Sequence, residues 1–197
     1  MYLSSDNTDG LVPYGTALVP GCGRGYDVTL LAHEQRVSLG LDISPTAIAA
    51  ATKRLDSLSA EECGVKEHAK FSTTSFFDMT VSNSNYFDFI YDYTFLCALD
   101  PSIRESWADK MAELLRPGSG ELLTLIFPIL EQISDGPLSG PPFPVSLKLL
   151  EDLLLPRGFE CLELRLLPPE LCHQGRDGAA AGSPASGVGR WRKQSID

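Results

Sequence analysis

The run Val19-Pro20-Gly21-Cys22-Gly23-Arg24-Gly25 decides the fold, because it joins a short apolar segment to a helical one through closely spaced glycines. Thr16 to Pro20 has the composition of a β-strand, and Tyr26 to His33 has helical spacing. Glycines let the backbone turn sharply at such a junction and let a ligand approach it closely. The run therefore predicts the opening strand, loop and helix of an α/β sheet, with a ligand site beside the glycines.

Apolar runs alternate with helical patterns along the rest of the chain. Further strands are predicted at Arg36 to Asp42, Ala69 to Phe77, Phe87 to Thr94, Glu121 to Pro128 and Phe159 to Leu167, and further helices at Pro45 to about Leu58, Pro101 to about Leu115 and Val145 to Leu155. This alternation indicates βαβ units, and strands that are apolar throughout indicate a sheet covered on both faces. We predict a Rossmann-like, doubly wound, mostly parallel seven-stranded sheet with helices on both faces.

The length and the segments rich in Pro and Gly define the predicted domain organisation. A chain of 197 residues suits a single domain, which we place at residues 1–197 with a short tail over residues 1–14. Residues 134–144 are rich in Pro and Gly, and residues 178–189 are rich in Gly, Ala and Ser. Both segments are therefore predicted to be loops.

The charge balance and the cysteines limit the classes of partner. The chain has 16 basic and 26 acidic residues, and its formal net charge of −10 repels phosphate backbones and anionic lipids. We therefore expect a small-molecule substrate, no nucleic acid, no membrane and a monomer. The amino terminus has no basic segment followed by an apolar run, and the five cysteines contain no Cys-x-x-Cys pair. These features predict a reduced, cytoplasmic protein without a metal site.

Asp42 ends the second predicted strand, roughly twenty residues after the glycine loop, where an acid can bind both hydroxyls of a ribose. The spacing of Gly21, Gly23 and Gly25 departs from the dinucleotide fingerprint, which needs a glycine where this chain has Tyr26. Alone, the loop could be a tight turn and Asp42 a helix cap. Together they predict an adenosyl cofactor without a pyrophosphate, which fits S-adenosyl-L-methionine. The missing glycine disfavours the alternative, a NAD-dependent oxidoreductase.

Several segments resemble the thiol, thiocyanate and halide methyltransferases, which are related to the thiopurine methyltransferases. They are Ala17-Leu18-Val19-Pro20-Gly21-Cys22-Gly23-Arg24-Gly25-Tyr26-Asp27, Gly40-Leu41-Asp42-Ile43-Ser44, Phe87-Asp88-Phe89-Ile90-Tyr91-Asp92-Tyr93-Thr94-Phe95, Gly140-Pro141-Pro142-Phe143 and Gly189-Arg190-Trp191-Arg192-Lys193. The resemblance implies a class I S-adenosylmethionine-dependent methyltransferase that acts on a small thiol, hydrosulfide, thiocyanate or halide. Such a transfer is an in-line displacement, which a dry pocket and good alignment favour and which needs no metal.

The resemblance also assigns roles to particular residues. It implies cofactor contacts by Gly21, Cys22, Gly23, Asp42, Ile43, Ser75, Phe76 and Tyr93, with the glycines at the amino-acid portion, Asp42 at the ribose, and Ser75 and Phe76 at the adenine. Related enzymes often carry Asp at the position of Ser75. Tyr93 and Asp92 would be catalytic, with Tyr93 beside the incoming nucleophile. Asp92 could accept the proton of a thiol, and the alternative is a structural carboxylate bonded to the backbone.

One feature of the resemblance is missing from this sequence. Members of the group carry a tryptophan-rich segment before the first strand, which folds over cofactor and substrate. Here about fifteen residues precede the strand and none is tryptophan. The expectation is that the lid is absent, either because the chain is incomplete or because the protein is shortened and has an open site. The alternative to an active enzyme is therefore a truncated or degenerate methyltransferase fold with weak or no catalysis.

Overall fold

The structure is a computed structural model that describes residues 11–59, 63–81, 85–129, 140–172 and 185–195. Its strands are β1 Gly15–Pro20, β2 Arg36–Asp42, β3 Ala69–Thr73, β4 Phe89–Tyr93, β5 Glu121–Ile129, β6 Phe159–Leu166 and β7 Ala185–Lys193. Its helices are α1 Tyr26–Leu31, α2 Pro45–Asp56, α3 Cys63–His68, α4 Arg104–Leu114 and α5 Leu147–Leu154. Among these residues, no helix is long and apolar enough to cross a lipid bilayer.

The seven strands form one sheet in the order β3-β2-β1-β4-β5-β7-β6. Strands β1 to β5 pair in parallel, whereas β7 runs antiparallel to both of its neighbours, β5 and β6. Apolar side chains alternate between two buried clusters, because successive residues of a strand point to opposite faces. One cluster includes Ile90 with residues of α4 and α5, and the other includes Tyr91 with residues of α1. The predicted mostly parallel, doubly wound sheet is confirmed.

The sheet order brings the loops after the first strands together. The order reverses at β1, whose neighbours are β2 on one side and β4 on the other. In open α/β sheets, ligands bind outside the carboxyl ends of the strands at such a reversal. The glycine loop follows β1, Asp42 is the last residue of β2, and Tyr93 is the last residue of β4. These three features therefore meet at one edge of the sheet.

The prediction of a loop over residues 178–189 is wrong for residues 185–189, which open β7. Close packing explains the glycines of this strand. A Cβ on Gly189 would lie 2.6 Å from Nε1 of Trp191 and 2.8 Å from Oγ1 of Thr124, and one on Gly187 would lie 2.9 Å from the carbonyl of Arg165. Residues 140–144 form no helix or strand, while 134–139 and 178–184 lie outside the described residues.

Other helices and strands begin or end a few residues from their predicted bounds. The predicted strand Ala69 to Phe77 ends at Thr73, because Ser75 accepts a hydrogen bond from the backbone N–H of Phe77 and begins a 3-10 turn. The start of α2 matches its sequence signal: the hydroxyl of Ser44 accepts from the N–H of Ala47, as at a helix N-cap. Helix α3 has no counterpart in the prediction.

Candidate functional site

The glycine loop uses three left-handed backbone conformations, with φ of 60° at Gly21, 54° at Gly23 and 73° at Gly25. Such angles strain any residue with a Cβ, so the loop requires glycine at each position. A Cβ on Gly25 would lie 2.5 Å from the ring of Phe71 and 3.1 Å from the Cβ of Ala51, so this glycine lets the loop pack closely on the neighbouring strand and helix. Gly25 thereby supplies the packing role that a dinucleotide fingerprint gives to a glycine one position later.

Gly21 and Gly23 differ in what surrounds them. A Cβ on Gly21 would lie 2.5 Å from the ring of Phe95, which follows β4, so the glycine loop and this turn are in direct contact. A Cβ on Gly23 would have no atom within 4 Å. Gly23 therefore presents bare backbone to open space, as close approach by a ligand requires.

Asp42 connects the glycine loop to the end of β2. Its Oδ2 accepts from the N–H of Gly23 at 2.9 Å, and its Oδ1 accepts from the N–H of Ser44 at 2.8 Å. The residue is partly exposed. Each carboxylate oxygen has a second acceptor position, so both hydroxyls of a ribose could bind without breaking either bond. This arrangement fits an adenosyl cofactor at the place where the sequence predicts one.

The residues predicted at the adenine, Ser75 and Phe76, lie on a turn that is bonded to Asp42, and Ile43, a further predicted cofactor residue, follows Asp42 in the chain. Ile43 is 75% exposed, which makes it an apolar side chain available to a ligand. The backbone carbonyl of Asp42 accepts from the N–H of Thr74, so the turn that carries Ser75 and Phe76 is fixed to the same edge. Phe76 is buried, and its ring meets that of Phe95 edge-on at a centroid distance of 5.3 Å. The predicted cofactor residues thus lie on neighbouring turns at one edge of the sheet, and their contacts with the cofactor stay a prediction.

The cysteines at this edge are packing residues. Burial, with a smaller effect of the Asp42 charge, raises the pKa of Cys22 to about 12. Burial and the Asp92 charge raise the pKa of Cys97 to about 11. Both thiols are buried and stay protonated at neutral pH, so neither is an activated nucleophile. Across the described residues, no group of three or more His, Cys, Asp or Glu side chains could hold a metal ion.

Asp92 is enclosed, with 2% of its surface exposed. Its Oδ1 accepts from the N–H groups of Phe95 at 3.2 Å and Leu96 at 3.1 Å, and its Oδ2 accepts from Nε1 of Trp107 at 2.9 Å. Burial raises its pKa to about 6, while the bonds from Leu96, Trp107 and Phe95 lower it. These contacts favour the structural carboxylate over a base that meets substrate directly. Acceptance of a thiol proton by Asp92 stays a prediction.

Tyr93 is half-buried at the end of β4, with its ring stacked on that of Tyr91 at a centroid distance of 6.2 Å. Burial, followed by the charge of Asp27, raises the pKa of Tyr93, so its hydroxyl stays protonated at neutral pH. Sequence reasoning gave no role to Asp27, whose own pKa burial raises to about 6. The sequence feature that could have identified Asp27 is its position in the first turn of the helix after the glycine loop. Thr94, the next residue after Tyr93, has φ of 63°, a strained angle for a β-branched residue.

Sequence comparisons match this chain to known methyltransferases. The family model for thiopurine S-methyltransferase matches residues 5–173. The chain is 41% identical over 189 residues to probable thiol methyltransferase 2 of Arabidopsis thaliana, covering 94% of this chain and 73% of that protein. It is 38% identical to thiocyanate methyltransferase 1 of Brassica oleracea, covering 92% of this chain and 71% of that protein.

Solved structures with low sequence identity share the fold. A S-adenosylmethionine-dependent methyltransferase from Methanosarcina mazei has a TM-score of 0.66 at 20% identity, covering 92% of this chain and 93% of its own. The N-methyltransferase NodS from Bradyrhizobium japonicum, in complex with S-adenosyl-L-homocysteine, has a TM-score of 0.62 at 19% identity, with 91% and 78% covered. The sheet is therefore the one that S-adenosylmethionine-dependent methyltransferases use.

Proposed function

Because the chain belongs to the thiopurine S-methyltransferase family and is thereby a methyltransferase that depends on S-adenosyl-L-methionine, we propose that its acceptor is a small sulfur nucleophile or halide. The acceptors we propose are a thiol, hydrosulfide, thiocyanate or a halide ion. The relatives named for thiol and thiocyanate substrates support the sulfur nucleophiles. No observation on the fold or the site favours the NAD-dependent alternative.

The observation that carries the cofactor site of this proposal is the hydrogen bond from the N–H of Gly23 to Oδ2 of Asp42. It holds the acid of β2 against the glycine loop, and Asp42 stays partly exposed. Gly21 and Gly23 would hold the amino-acid portion of the cofactor, Asp42 its ribose, and Ser75 and Phe76 its adenine, with the exposed Ile43 as a further apolar contact.

The proposed reaction is an in-line displacement at the end of β4. The cofactor, when bound, supplies a methyl group on a sulfonium, to which a lone pair of the nucleophile bonds as the carbon–sulfonium bond breaks. The protonated hydroxyl of Tyr93 can donate a hydrogen bond to an anionic nucleophile and orient it. The ring of Phe95, which packs edge-on against that of Phe76, would exclude water beside the nucleophile, and this favours a transition state less charged than the separated ions.

A neutral thiol must also lose its proton. Asp92 has the raised pKa that suits a proton acceptor near neutral pH, but its oxygens are occupied by three donors and it is enclosed. We propose that any proton reaching Asp92 from a thiol passes through water. Thiocyanate and halide ions carry no such proton, so their methylation would not depend on this step.

The test begins with calorimetric titration of the purified chain with S-adenosyl-L-homocysteine, using NAD as the control ligand. Asp42→Ala should weaken binding by tenfold or more, because loss of a charge-assisted hydrogen bond costs roughly 1.5 to 3 kcal/mol. The matched control is Asp56→Ala, which removes an exposed carboxylate at the end of α2. Equal affinity in wild type and a folded Asp42→Ala variant would remove Asp42 from the site.

A binding result leads to a headspace assay for volatile methylated products with thiocyanate, iodide and hydrosulfide. Product from any of these supports the proposed acceptor class. Absence of S-adenosyl-L-homocysteine binding in a protein that melts cooperatively would instead support the degenerate methyltransferase alternative.

The cellular setting is also part of the proposal. The described cysteines 22, 97, 161 and 172 are all free thiols, which supports a reducing, cytoplasmic compartment. The net charge of −10 supports a monomer that acts on small molecules and not on nucleic acid or membrane surfaces.

A further inference from the structure

A cavity lies between the turn that enters α1 and one face of α2, and its lining includes Arg24 of the glycine loop but none of the residues predicted to contact the cofactor. Its volume is about 340 Å³. It is lined by Arg24, Tyr26, Ala50, Lys53, Arg54 and Ser57. Residues 50, 53 and 54 share one face of α2, since their spacing follows the helical period, and Ser57 caps the end of that helix. The cavity is therefore built by one helix face and by the turn that enters α1.

The charge of the lining is opposite to that of the chain. Three of its side chains are cations and none is a carboxylate, although the whole chain has a formal net charge of −10. Within the described parts of the chain, Arg24, Lys53 and Arg54 form no salt bridge. The charge of Arg54 lowers the pKa of Asp27, against the larger effect of burial, and Asp27 does not line the cavity. Three like charges are thus held together without a neutralising partner among the lining residues.

Arg54 is fixed in place before any ligand binds. Its Nη1 donates to Oγ1 of Thr29 at 2.7 Å and, more weakly, to the carbonyl of Gly25 at 3.5 Å. Its guanidinium also lies 4.3 Å from the ring centroid of Tyr26, a cation–π contact. None of its described hydrogen bonds uses Nε or Nη2. A guanidinium held in this way retains donors in the planar arrangement that matches phosphate and sulfate oxygens.

We propose that this cavity binds a tetrahedral oxyanion, as inorganic phosphate or sulfate or as the phosphate group of a small metabolite. Arg54 provides a fixed donor, while Arg24 and Lys53 are exposed and able to close on the anion from opposite elements. The anion would relieve the repulsion among the three cations. A structural role for Lys53 and Arg54 at the carboxyl-terminal turn of α2 would explain two of the charges but not Arg24, which precedes α1.

The experiment is a titration of the full chain with inorganic phosphate at constant ionic strength, followed by ¹H–¹⁵N NMR. Saturable shifts at residues of the cavity are expected in the wild type. Arg24→Gln and Lys53→Gln should each weaken phosphate binding by roughly tenfold, because each removes a charge-assisted hydrogen bond. Lys70→Gln is the matched control, since Lys70 is an exposed cation on β3 that does not line the cavity. Its phosphate affinity should equal that of the wild type.

A second titration with phenyl phosphate distinguishes the sources of the oxyanion. Tighter binding than inorganic phosphate indicates a phosphorylated metabolite, and equal or weaker binding indicates the free ion. Linear, non-saturating shifts in the wild type would overturn the proposal. A loss of affinity in Lys70→Gln as large as that in Arg24→Gln would also overturn it, because it would show a response to net charge alone.

Discussion

The carboxyl ends of β2 and β4 each carry an aspartate that binds backbone N–H groups, yet the two sites are built differently. Asp42 binds the N–H groups of Gly23 and Ser44 and stays partly exposed. Asp92 binds two backbone N–H groups and the indole of Trp107, and it is 2% exposed. The first carboxylate keeps acceptor positions for a ligand, and the second directs its oxygens to the protein itself.

In this comparison burial, and not residue type or strand position, separates an acid that a ligand can reach from one that the protein encloses. An enclosed carboxylate with three protein donors stabilises the turn that it holds, but its ionised form is disfavoured in the interior. A carboxylate at the rim holds its turn with fewer donors and loses less solvation. The candidate site therefore combines an enclosed carboxylate at the end of β4 with a partly exposed one at the end of β2.

The largest expected effect that would test this comparison is on stability. Asp92→Ala leaves the indole N–H of Trp107 and the N–H groups of Phe95 and Leu96 without an acceptor in the interior. The free energy of unfolding should fall by roughly 3 to 5 kcal/mol, measured by urea denaturation. Asp42→Ala should lose only about 1 kcal/mol, because water reaches its two donors. Equal losses of stability in the two variants would show that burial does not distinguish Asp92 from Asp42.

A pH titration sharpens the same distinction. Burial raises the pKa of Asp92 to about 6 from an ordinary value of 3.8. Because the pKa of Asp92 is higher in the folded protein, the folded state binds this proton more tightly than the unfolded state does. The stabilisation that results is fully present below about pH 4 and is lost as pH rises through about 6. The loss should be roughly 3 kcal/mol.

Asp27 titrates in the same window, so the measurement is a difference between proteins. The stability of wild type minus that of Asp92→Asn, from urea unfolding at several pH values, should decrease between pH 4 and pH 7. A flat difference would mean that Asp92 does not titrate in this range.

Substitutions at two glycines of the loop that contacts Asp42 should change the free energy of unfolding by less than Asp92→Ala does. Gly25→Ala places a Cβ 2.5 Å from the ring of Phe71 and should destabilise the protein by roughly 2 to 3 kcal/mol. Gly23→Ala meets no atom within 4 Å, so only backbone strain of roughly 1 to 2 kcal/mol is expected. Gly23→Ala should nevertheless weaken S-adenosyl-L-homocysteine binding more than tenfold in calorimetry. Normal binding by Gly23→Ala would show that the loop is only a turn.

The smallest effect is expected at Thr94, beside Asp92. Glycine accepts the φ of 63° without strain, but it also has more freedom in the unfolded chain. Because these contributions oppose each other, Thr94→Gly should change the free energy of unfolding by less than about 1 kcal/mol. A thermal melt compares it with Thr52→Gly, an exposed threonine within α2 that should be clearly destabilised. A large loss in Thr94→Gly would show that the threonine side chain holds this turn.

The order and type of most elements followed from local sequence patterns. The strand Arg36–Asp42 was predicted with its observed bounds, because an apolar run ends there at a polar residue and a helix cap. The residues that contact one another at the edge of the sheet were also predicted from the glycine loop, Asp42 and the family resemblance. Those signals are local in sequence, and the parallel sheet brings them together in space.

The elements that sequence reasoning missed depend on distant partners. The start of β7 looks like a flexible loop, because Gly187 and Gly189 are typical of linkers, yet both are required by atoms of β5, β6 and α5. The enclosure of Asp92 depends on Trp107, fifteen residues away on α4. The electrostatic contact between Asp27 and Tyr93 joins α1 to β4. No local pattern carries such information.

The position of β7 has a consequence for biosynthesis. β6 pairs only with β7 in this sheet, and β7 is inserted between β5 and β6 although it follows both along the chain. During translation, β5 and β6 leave the ribosome before the strand that joins them. The outer edge of β5 therefore stays unpaired in the nascent chain, and an unpaired apolar edge is a template for aggregation. The arrival of residues 185–193 closes the sheet and protects that edge.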